Sequence, residues 1–418
     1  MPGPLRIAFT VYRGNPHSGG QGVYTRYLTR ELAAMGHTVE VFSGQPYPVL
    51  DEGVTLTKVP SLDLYRQPDP FRIPHPREFR SLIDVLEFAI MCTAGFPEPR
   101  TWSRRIRRVL RARRDDFDVV HDNQCLGNGM LGVVADGWPV LTTLHHPITV
   151  DRDLELSHAH SPWRRFTLRR WYGFLAMQTR VAQKLPRLLT VSHSSKRDIV
   201  AQMGVDADKL AVVAVGVDTD RFRPLAHVAK ISGRLMTTAS ADVPLKGLVP
   251  LLEALAKVRT ERHADLVVVG QPRPESRVDE TIERLGLREA VTFVSGVSDD
   301  RIVELYNEAE VAVVPSLYEG FSLPAIEAMA CGTALVATTG GALPEVVGED
   351  GVAGRLVAPN DPGALAVAIS EVLADDALRA GLGERGRKRV MDKFTWRACA
   401  EGTVAEYRRL LETAEPQC

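Results

Sequence analysis

Short apolar runs alternate with longer amphipathic segments along the chain, and this order predicts repeated βαβ units. In the first half, a strand over Leu5–Val11 leads through a glycine-rich loop into a helix over Val23–Met35. Gly36 then stands where a C-terminal helix cap is expected. Apolar strands separated by helical segments are typical of a parallel sheet. The other strands predicted in this half are Thr38–Ser43, Asp118–His121, Val140–Leu144, Arg187–Ser192 and Ala211–Ala214.

The same pattern restarts at about Ile231, after an expected hinge over Asp218–Lys230 that contains Pro224. Its predicted strands are Leu235–Ser240, Asp265–Val269, Val291–Val294, Val311–Val314 and Ala334–Thr338. The helices predicted between and after them are Leu248–Thr260, Asp279–Leu285, Asp299–Asn307, Pro324–Ala330, Glu345–Val347 and Pro362–Ala374.

We therefore expect an α/β protein with two Rossmann-like, doubly wound domains that face each other across a cleft. The first would span residues 1–222 and the second residues 223–395, with a C-terminal helix over 396–418 packing back on the first. Ligands of such sheets bind outside the carboxyl ends of the strands. The loops that follow the strands are therefore where a functional site is expected.

The strongest chemical signal is the segment PSLYEGFSLPAIEAMACGT, which follows the strand Val311–Val314. Ser322 is placed to cap the next helix, and Pro324 suits its first turn. The backbone amides from Gly320 to Leu323 would then face a phosphate group at a positive helix terminus.

Two glutamates in this segment suit hydroxyl recognition. Glu319 lies in the loop, where it can reach the hydroxyls of a sugar. Glu327 lies about one turn into the helix, where a carboxylate can accept hydrogen bonds from the vicinal hydroxyls of a ribose. The spacing alone equally suits a surface loop glutamate and a carboxylate that complements the helix dipole.

The run EGFSLPAIE, followed by EAMACGT, resembles the E-x7-E signature of glycosyltransferase family 4. LVVVGQ, VTFVSGVSDDRIVELYNEAEVAVVPS and ALVATTGGALPEVVGEDGVAGRLVAPNDPGALA resemble the donor domain of that family, while MGHTVEVFSG and VVHD resemble its first domain. The resemblance implies a GT-B fold and a retaining enzyme that needs no metal and no cofactor. Its substrates would be a UDP- or GDP-linked hexose and a hydroxyl of a sugar, lipid-linked or small-molecule acceptor.

The resemblance also implies roles for individual residues of the donor domain. Glu327 would hold the ribose, and Glu319 would contact the donor sugar. Lys246, in PLKGL, would neutralise the charge of the leaving diphosphate, which a fixed cation can do without a metal. The backbone around the helix start would meet the sugar and the distal phosphate, through Gly320, Phe321, Ser322 and Leu323.

Two departures from the family pattern occur. Ala241 stands about where the family has an arginine upstream of Lys246, so one phosphate contact is in doubt. AVGVD at 214–218 lacks the usual proline-asparagine pair. The missing arginine favours an alternative function, that of a non-catalytic nucleotide-sugar binding protein.

Two glycine clusters could bind phosphates in the first half. One follows the first strand and comprises Gly19, Gly20 and Gly22, which fits a phosphate cradle or a plain tight turn. The other has GxGxxG spacing at Gly127, Gly129 and Gly132, as in an NAD-dependent oxidoreductase. The preceding strand is predicted to end near His121, several residues too early for that fingerprint.

His145 ends the predicted strand Val140–Leu144 and matches the histidine of the family that contacts the donor sugar. We therefore count His145 with Glu319 and Lys246 as the expected catalytic residues. His146 could exchange roles with it. His146 and Asp122 are the candidates for the acceptor side. The alternative is that the histidine is structural.

Composition restricts the partners. The net charge is -1, which gives no global attraction to nucleic acid, and the five cysteines lack metal-like spacing, so we expect a reduced cytoplasmic setting without a metal. The apolar run over 85–96 is short and contains Glu87, which argues against a transmembrane helix. Two basic aromatic segments, 101–114 and 163–172, could rest on the inner face of a membrane or pack into the core with their arginines at the surface.

Overall fold

The first sheet is seven-stranded and entirely parallel in a computed structural model of the chain. The structure describes residues 3–15, 20–66, 68–157, 159, 161–238, 243–271 and 276–414. The strands are β1 (Arg6–Val11), β2 (Thr38–Ser43), β3 (Val54–Lys58), β4 (Val119–Asn123), β5 (Val140–Thr143), β6 (Arg187–Thr190) and β7 (Leu210–Val212). Their spatial order is β3-β2-β1-β4-β5-β6-β7.

Eight helices accompany these strands in the described part of the chain. They are α1 (Gln21–Ala34), α2 (Leu82–Cys92), α3 (Glu98–Arg111), α4 (Asn128–Ala135), α5 (Thr149–Ser157), α6 (Pro162–Trp171), α7 (Leu175–Lys184) and α8 (His193–Met203). Strands such as β4 are buried along their whole length, as expected for a parallel sheet covered on both faces.

The second sheet is also parallel and has the order β10-β9-β8-β11-β12-β13. Its strands are β8 (Ile231–Thr238), β9 (Asp265–Val269), β10 (Val291–Val294), β11 (Ala309–Val314), β12 (Ala334–Thr338) and β13 (Arg355–Val357). Its helices are α9 (Leu248–Val258), α10 (Arg277–Leu285), α11 (Asp299–Glu308), α12 (Leu323–Ala330), α13 (Leu343–Val347), α14 (Pro362–Ala374) and α15 (Asp376–Lys393).

The chain divides into two compact units, one for each sheet. The first comprises residues 1–191, 195–213 and 399–418, and the second comprises residues 192–194 and 214–398. The final helix α16 (Trp396–Ala414) therefore joins the first unit from residue 399 onward. Within that unit, Tyr407 is fully buried, its hydroxyl lies 2.6 Å from His121 Nδ1, and Glu406 pairs with Arg187 at 2.7 Å.

The apolar pattern of the sequence did not predict two strands, β3 and β13. Each of them lies at an edge of its sheet. Edge strands are covered on fewer sides, and both are partly exposed along their length. They therefore lack the continuous apolar run by which the central strands were recognised.

Each sheet reverses its strand order at one point. In the first sheet the reversal lies between β1 and β4, and in the second between β8 and β11. A crevice opens at the carboxyl ends of the strands at such a switch point, and ligands of doubly wound sheets bind there. In the first unit, functional residues are therefore expected in the loops after β1 and β4, and in the second unit in the loops after β8 and β11.

Candidate active site

At the switch point of the second sheet, Lys246 and Glu319 meet. Lys246 Nζ lies 2.8 Å from Glu319 Oε1, and the hydroxyl of Ser316 donates to the same carboxylate oxygen at 2.7 Å. The glutamate is buried, whereas about a third of the lysine side chain is exposed. The ammonium is thus held beside the switch point by one carboxylate while it remains accessible to a ligand.

The backbone holds these two loops together. Leu317 N donates to the carbonyl of Leu245 at 2.7 Å. Gly247 has φ of +67°, and a Cβ at this position would meet the carbonyl oxygen of Pro315 at 1.9 Å. Because no side chain fits there, the glycine after Lys246 is what allows the two loops to approach so closely.

A third loop, after β12, closes against Glu319. Gly341 has φ of +63°, and a Cβ there would lie 2.2 Å from the carbonyl oxygen of Glu319, which accepts from Ala342 N at 2.9 Å. A Cβ at Gly340 would lie 2.6 Å from the carbonyl oxygen of Leu317. The sequence analysis assigned no role to this glycine pair, although two consecutive glycines at the carboxyl end of a strand were the available signal.

The helix start after Glu319 differs from the prediction in one respect. The helix α12 begins at Leu323 with Pro324 in its first turn, as expected, but Ser322 does not cap it. Its φ of 120° and ψ of 87° lie outside the extended region in which a cap side chain reaches back to the helix amides. Its hydroxyl is buried and has no hydrogen-bond partner among the described residues.

This geometry gives the helix start the properties of an anion site. The first amides of a helix have no partner within the helix, and they carry the positive end of its dipole. Ser322 directly precedes this helix, and its buried hydroxyl has no hydrogen-bond partner among the described residues. Phe321 is buried next to it and packs edge-on against Phe394, with ring centroids 5.7 Å apart.

Glu327 is half-buried one turn into α12. Burial raises its pKa to about 7, although the Tyr306 hydroxyl, which donates to Oε2 at 3.2 Å, opposes that shift. Tyr306 is itself fully buried and also donates to the carbonyl of Pro324 at 3.4 Å. The sequence analysis missed Tyr306, which fixes this carboxylate from α11.

In the first unit, the glycine loop leads directly into α1. Gly19 lies outside the described residues, Gly20 has φ of +69° at the helix start, and Gly22 lies in the first turn. A Cβ at Gly22 would meet the carbonyl oxygen of Asn15 at 2.0 Å, so this glycine permits close packing of the helix on the loop before it. Whether the loop binds phosphate stays a prediction.

His145 follows β5 and is half-buried. Its Nε2 lies 2.8 Å from Asn123 Oδ1, and its ring packs edge-on against Tyr24. The Asn123 amide nitrogen donates to Thr25 Oγ1 at 3.1 Å and to the Gln21 carbonyl at 3.3 Å. Because this network assigns the amide nitrogen to those two acceptors, the amide oxygen must accept from Nε2.

His145 is consequently held as the neutral tautomer with its proton on Nε2. Burial lowers its pKa to about 3, with His146 contributing. The lone pair on Nδ1 is then the acceptor of the ring. A neutral imidazole fixed in this way can accept a proton or a hydrogen bond from a substrate hydroxyl.

Asn123→Asp is expected to give kcat, measured at saturating donor, a new acid limb. A carboxylate facing Nε2 stabilises the imidazolium and raises the pKa of His145, so Nδ1 becomes protonated as the pH falls. A neighbouring charge shifts a pKa by about one to three units, so the pKa of His145 should rise from about 3 to at most about 6. We expect kcat of the variant to be up to about tenfold lower at pH 5 than at pH 8. Asn123→Ala is the control, since it removes the hydrogen bond without adding charge. A variant with the wild-type pH profile would rule out this role of Asn123.

Asp122 and His121 lie deep in the first unit. Asp122 is fully buried, accepts from Leu126 N at 3.1 Å, and has its pKa raised by burial to about 7. His121 is stacked on Phe9 and hydrogen-bonded to the Thr143 hydroxyl at 2.8 Å. Asp122 thus holds the loop after β4, and its predicted role towards an acceptor is untested. His146, the other candidate for the acceptor side, is half-buried. Its backbone carbonyl accepts a hydrogen bond from Gln124 Nε2 at 3.2 Å.

The GxGxxG cluster serves helix packing. Asn123 ends β4 four residues before Gly127, and α4 lies against α3. A Cβ at Gly127 would meet the Pro99 carbonyl oxygen at 2.1 Å, one at Gly129 the Ser103 carbonyl oxygen at 2.1 Å, and one at Gly132 the Arg107 guanidinium at 2.5 Å. The three glycines therefore face a neighbouring helix and leave no approach for a pyrophosphate.

Gly129→Ala is expected to lower the free energy of unfolding by about 1–3 kcal/mol, because the added methyl group overpacks the α3–α4 contact. Urea unfolding measures this loss. The control is Gly173→Ala, since a Cβ at that position meets nothing within 4 Å. A variant of unchanged stability that had lost nucleotide binding would instead support the dinucleotide alternative.

The basic segment over 101–114 packs into the core through its apolar residues. Trp102 is 2% exposed, and Ile106 and Leu110 are fully buried. In the segment over 163–172, by contrast, Trp163 is 72% exposed and stacked with Phe166.

No helix among the described residues combines the length and apolar character needed to cross a membrane. No group of three His, Cys, Asp or Glu side chains suited to a metal occurs in the same residues.

Two doubly wound parallel sheets, the second with an acidic loop-helix and a lysine at its switch point, define the GT-B class of glycosyltransferases. Solved structures agree with that fold. The chain superposes on sucrose-phosphate synthase from Thermosynechococcus elongatus with a TM-score of 0.73 and 23% identity, covering 98% of this chain and 100% of that one. It superposes on the glycosyltransferase WaaG with a TM-score of 0.67 and 19% identity, covering 96% and 99%.

The family follows from sequence. Residues 18–221 match the profile of Glycosyltransferase Family 4, and residues 229–389 match that of Glycosyl transferases group 1. The MMP alpha-(1->4)-mannosyltransferase of Mycolicibacterium hassiacum is 52% identical over 408 residues, covering 97% of this chain and 98% of that protein. The D-inositol 3-phosphate glycosyltransferase of Kineococcus radiotolerans is 28% identical, covering 96% and 92%.

The chain therefore belongs to glycosyltransferase family 4 and is a retaining glycosyltransferase. The predictions of the family, the fold class and the enzyme class are confirmed. The family replaces both alternative functions, that of an NAD-dependent oxidoreductase and that of a non-catalytic nucleotide-sugar binding protein. The roles of individual site residues and the functions of the two domains stay predictions.

Proposed function

We propose that this enzyme transfers a mannosyl unit from GDP-mannose to a glycan acceptor in an α-(1→4) linkage. The observation that carries the proposal is the 52% identity to the MMP alpha-(1->4)-mannosyltransferase over 97% of the chain. The fold and the acidic loop-helix are shared across the family, so they do not by themselves select a sugar. A retaining reaction on an α-linked sugar nucleotide gives an α-linked product, which agrees with the linkage in that relative's name.

The geometry of the second unit supports a role in donor binding. In this proposal the helix start at Ser322 and Leu323 receives the distal phosphate, and Glu327 receives the ribose hydroxyls. Glu319 contacts hydroxyls of the transferred mannose. Lys246 leaves its 2.8 Å contact with Glu319 to meet the diphosphate, whose negative charge grows as the glycosidic bond breaks.

The first unit would then bind the acceptor, with His145 near the reacting hydroxyls through Nδ1. The reaction would proceed by front-face attack through an oxocarbenium-like state, with the leaving phosphate assisting removal of the acceptor proton. A cytoplasmic location and a peripheral membrane contact through 163–172 belong to the same proposal, the latter supported by the exposed Trp163.

The test is a transfer assay with the purified chain, an α-(1→4)-mannooligosaccharide acceptor, and GDP-mannose, GDP-glucose, UDP-glucose and UDP-N-acetylglucosamine as donors. We expect transfer from GDP-mannose, and NMR of the product should show a new α-(1→4) linkage. Glu327→Gln is the control for donor-site dependence. Transfer from a UDP-sugar but not from GDP-mannose would refute the proposed donor, and a different linkage would refute the proposed regiochemistry.

A further inference from the structure

A chain of buried hydrogen bonds runs from the last helix, α16, to the side chain beside His145. The Tyr407 hydroxyl lies 2.6 Å from His121 Nδ1, and His121 Nε2 lies 2.8 Å from Thr143 Oγ1. Thr143 Oγ1 in turn lies 3.2 Å from the Tyr24 hydroxyl. Tyr407 and His121 are fully buried, and Thr143 and Tyr24 are almost so. All these residues belong to the first unit.

The Tyr24 end of this chain fixes the direction of its hydrogen bonds. Tyr24 also hydrogen-bonds the hydroxyl of Thr403, which is fully buried on α16. Thr403 donates its own proton to the carbonyl of Cys399 at 2.8 Å, so it can only accept from Tyr24. The Tyr24 hydroxyl has a single proton and donates it to Thr403. It must therefore accept from Thr143.

The same proton count continues to Tyr407. Because the Thr143 hydroxyl donates its proton to Tyr24, it must accept from His121 Nε2. His121 is then the neutral tautomer with its proton on Nε2, and its Nδ1 accepts from the Tyr407 hydroxyl. Burial favours the neutral ring, since it lowers the pKa of His121 to about 3. The chain of hydrogen bonds therefore starts and ends on α16, at Tyr407 and at Thr403.

Tyr24 is the member of this chain that contacts His145. The two rings are edge-on, with centroids 4.7 Å apart and planes 86° apart. The hydrogen bond from Nε2 of His145 to Asn123 fixes the position of that nitrogen but permits rotation of the ring about it. An edge-on aromatic neighbour restricts this rotation. The direction in which Nδ1 points therefore depends on where the Tyr24 ring is held.

We propose that Tyr407 is a positioning residue for the transfer reaction. Through His121 and Thr143 it holds the Tyr24 ring against His145, and so it orients Nδ1 of His145 towards the reacting hydroxyls. The inference rests on the proposed role of His145 and extends it to the last helix. A misplacement of about 1 Å can cost about 100-fold in rate, so the loss of one distant hydroxyl should cost less, about tenfold.

Tyr407→Phe tests the proposal, because it removes the hydroxyl and keeps the buried ring. We expect kcat for transfer to fall about tenfold. KM for the donor should change less than about twofold, since the proposed donor residues lie in the other unit. Thr281→Val is the control with wild-type kcat, as it removes another buried hydroxyl, from α10. If the hydrogen bond only anchored α16, stability would fall while kcat of the folded enzyme stayed at the wild-type value, and this result would overturn the proposal.

Thr143 offers a matched pair of variants. Thr143→Val keeps the size of the side chain but breaks the connection between His121 and Tyr24, so it should also lower kcat about tenfold. Thr143→Ser keeps the hydroxyl and should retain most of the wild-type kcat, although it removes a buried methyl group. The opposite order, with serine as the slower variant, would show that packing rather than the hydrogen bond matters, and the proposal would fail.

His145→Ala separates this inference from the proposed role of His145. Full activity in His145→Ala would refute that role and the inference with it. Low activity in His145→Ala together with wild-type kcat in Tyr407→Phe would refute the inference alone.

NMR of the chain with isotope-labelled histidine needs no substrate, so it tests the positioning whichever donor the enzyme uses. The wild type should show the tautomer with the proton on Nε2 for both His121 and His145. In Tyr407→Phe the ring resonances of His145 should shift, because the Tyr24 ring beside it is no longer held. His145 resonances identical to those of the wild type would contradict the proposal.

Discussion

Replacing Lys246 with methionine is expected to lower kcat by about 10²–10³-fold, the effect of removing one preorganised group that stabilises developing negative charge. The ammonium is held 2.8 Å from Glu319 at the switch point, where its exposed part can turn to a diphosphate. Methionine keeps most of the side-chain length and apolar contacts but cannot stabilise the leaving group. The measurement is steady-state transfer with the donor and the acceptor varied separately.

Two further variants serve as controls for Lys246→Met. Lys246→Arg should retain part of the activity, because a guanidinium also neutralises phosphate. Lys388→Met, on the exposed face of α15, should have wild-type kcat. An unchanged kcat in Lys246→Met would mean that the diphosphate lies elsewhere, and the assignment of the donor site would fail with it.

Glu327→Gln is expected to abolish stabilisation of the chain by GDP and at the same time to make the unliganded chain more stable at pH 8. Burial raises the pKa of Glu327 to about 7, above the value of about 4.5 for an ordinary glutamate. The favourable contribution of the protonated form is complete below about pH 4.5 and is lost as the pH rises through 7. Glutamine stays neutral and avoids that loss.

The expected gain at pH 8 is about 1–3 kcal/mol, since one pKa unit corresponds to about 1.4 kcal/mol. At pH 5 the two proteins should differ little. In the wild type, GDP should bind more tightly as the pH rises through about 7, because the ionised carboxylate is the better acceptor for two ribose hydroxyls. Denaturant unfolding at both pH values, with and without GDP, measures both effects. Glu349→Gln, at an exposed position of the same unit, is the control.

The opposite result would be equally informative. If Glu327→Gln still gained stability from GDP, the carboxylate would not hold the ribose. If the variant were no more stable than the wild type at pH 8, the half-buried carboxylate would be compensated by groups other than Tyr306. The first outcome concerns donor recognition and the second concerns the local electrostatics, so they separate the two parts of the prediction.

The order of strands and helices was readable from the sequence because the central strands of both sheets are continuous apolar runs. The strand β11 and the acidic loop-helix after it are contiguous, so a local motif placed Glu319, Pro324 and Glu327 correctly relative to one another. The edge strands β3 and β13 escaped notice because partial exposure breaks the apolar run. The glycine pair Gly340 and Gly341 can be seen in the sequence. Its function in the packing became clear only from the close approach to Glu319 in the structure.

Ser322 shows how a local preference can fail. Serine before a helix is a favoured cap, yet here its backbone is outside the usual cap conformation and its side chain makes no hydrogen bond to the helix amides. The loop before it is held by contacts to residues distant in the chain, such as Gly341. Long-range packing therefore overrides the capping preference, at a position where a ligand hydroxyl or phosphate could use the free group.

The sequence by itself determined the family, the two parallel α/β sheets and the positions of the motifs that we propose for donor binding. These depend on apolar periodicity and on residues that are close along the chain. Only the tertiary structure decided which face of α2 is buried, which tautomer His145 adopts and which element packs against the GxGxxG glycines. Each of these depends on a partner from another element, namely Arg105 for α2, Asn123 for His145 and α3 for the glycines. Such pairings depend on the packing of the whole unit, so they cannot be predicted from the apolar periodicity of one element.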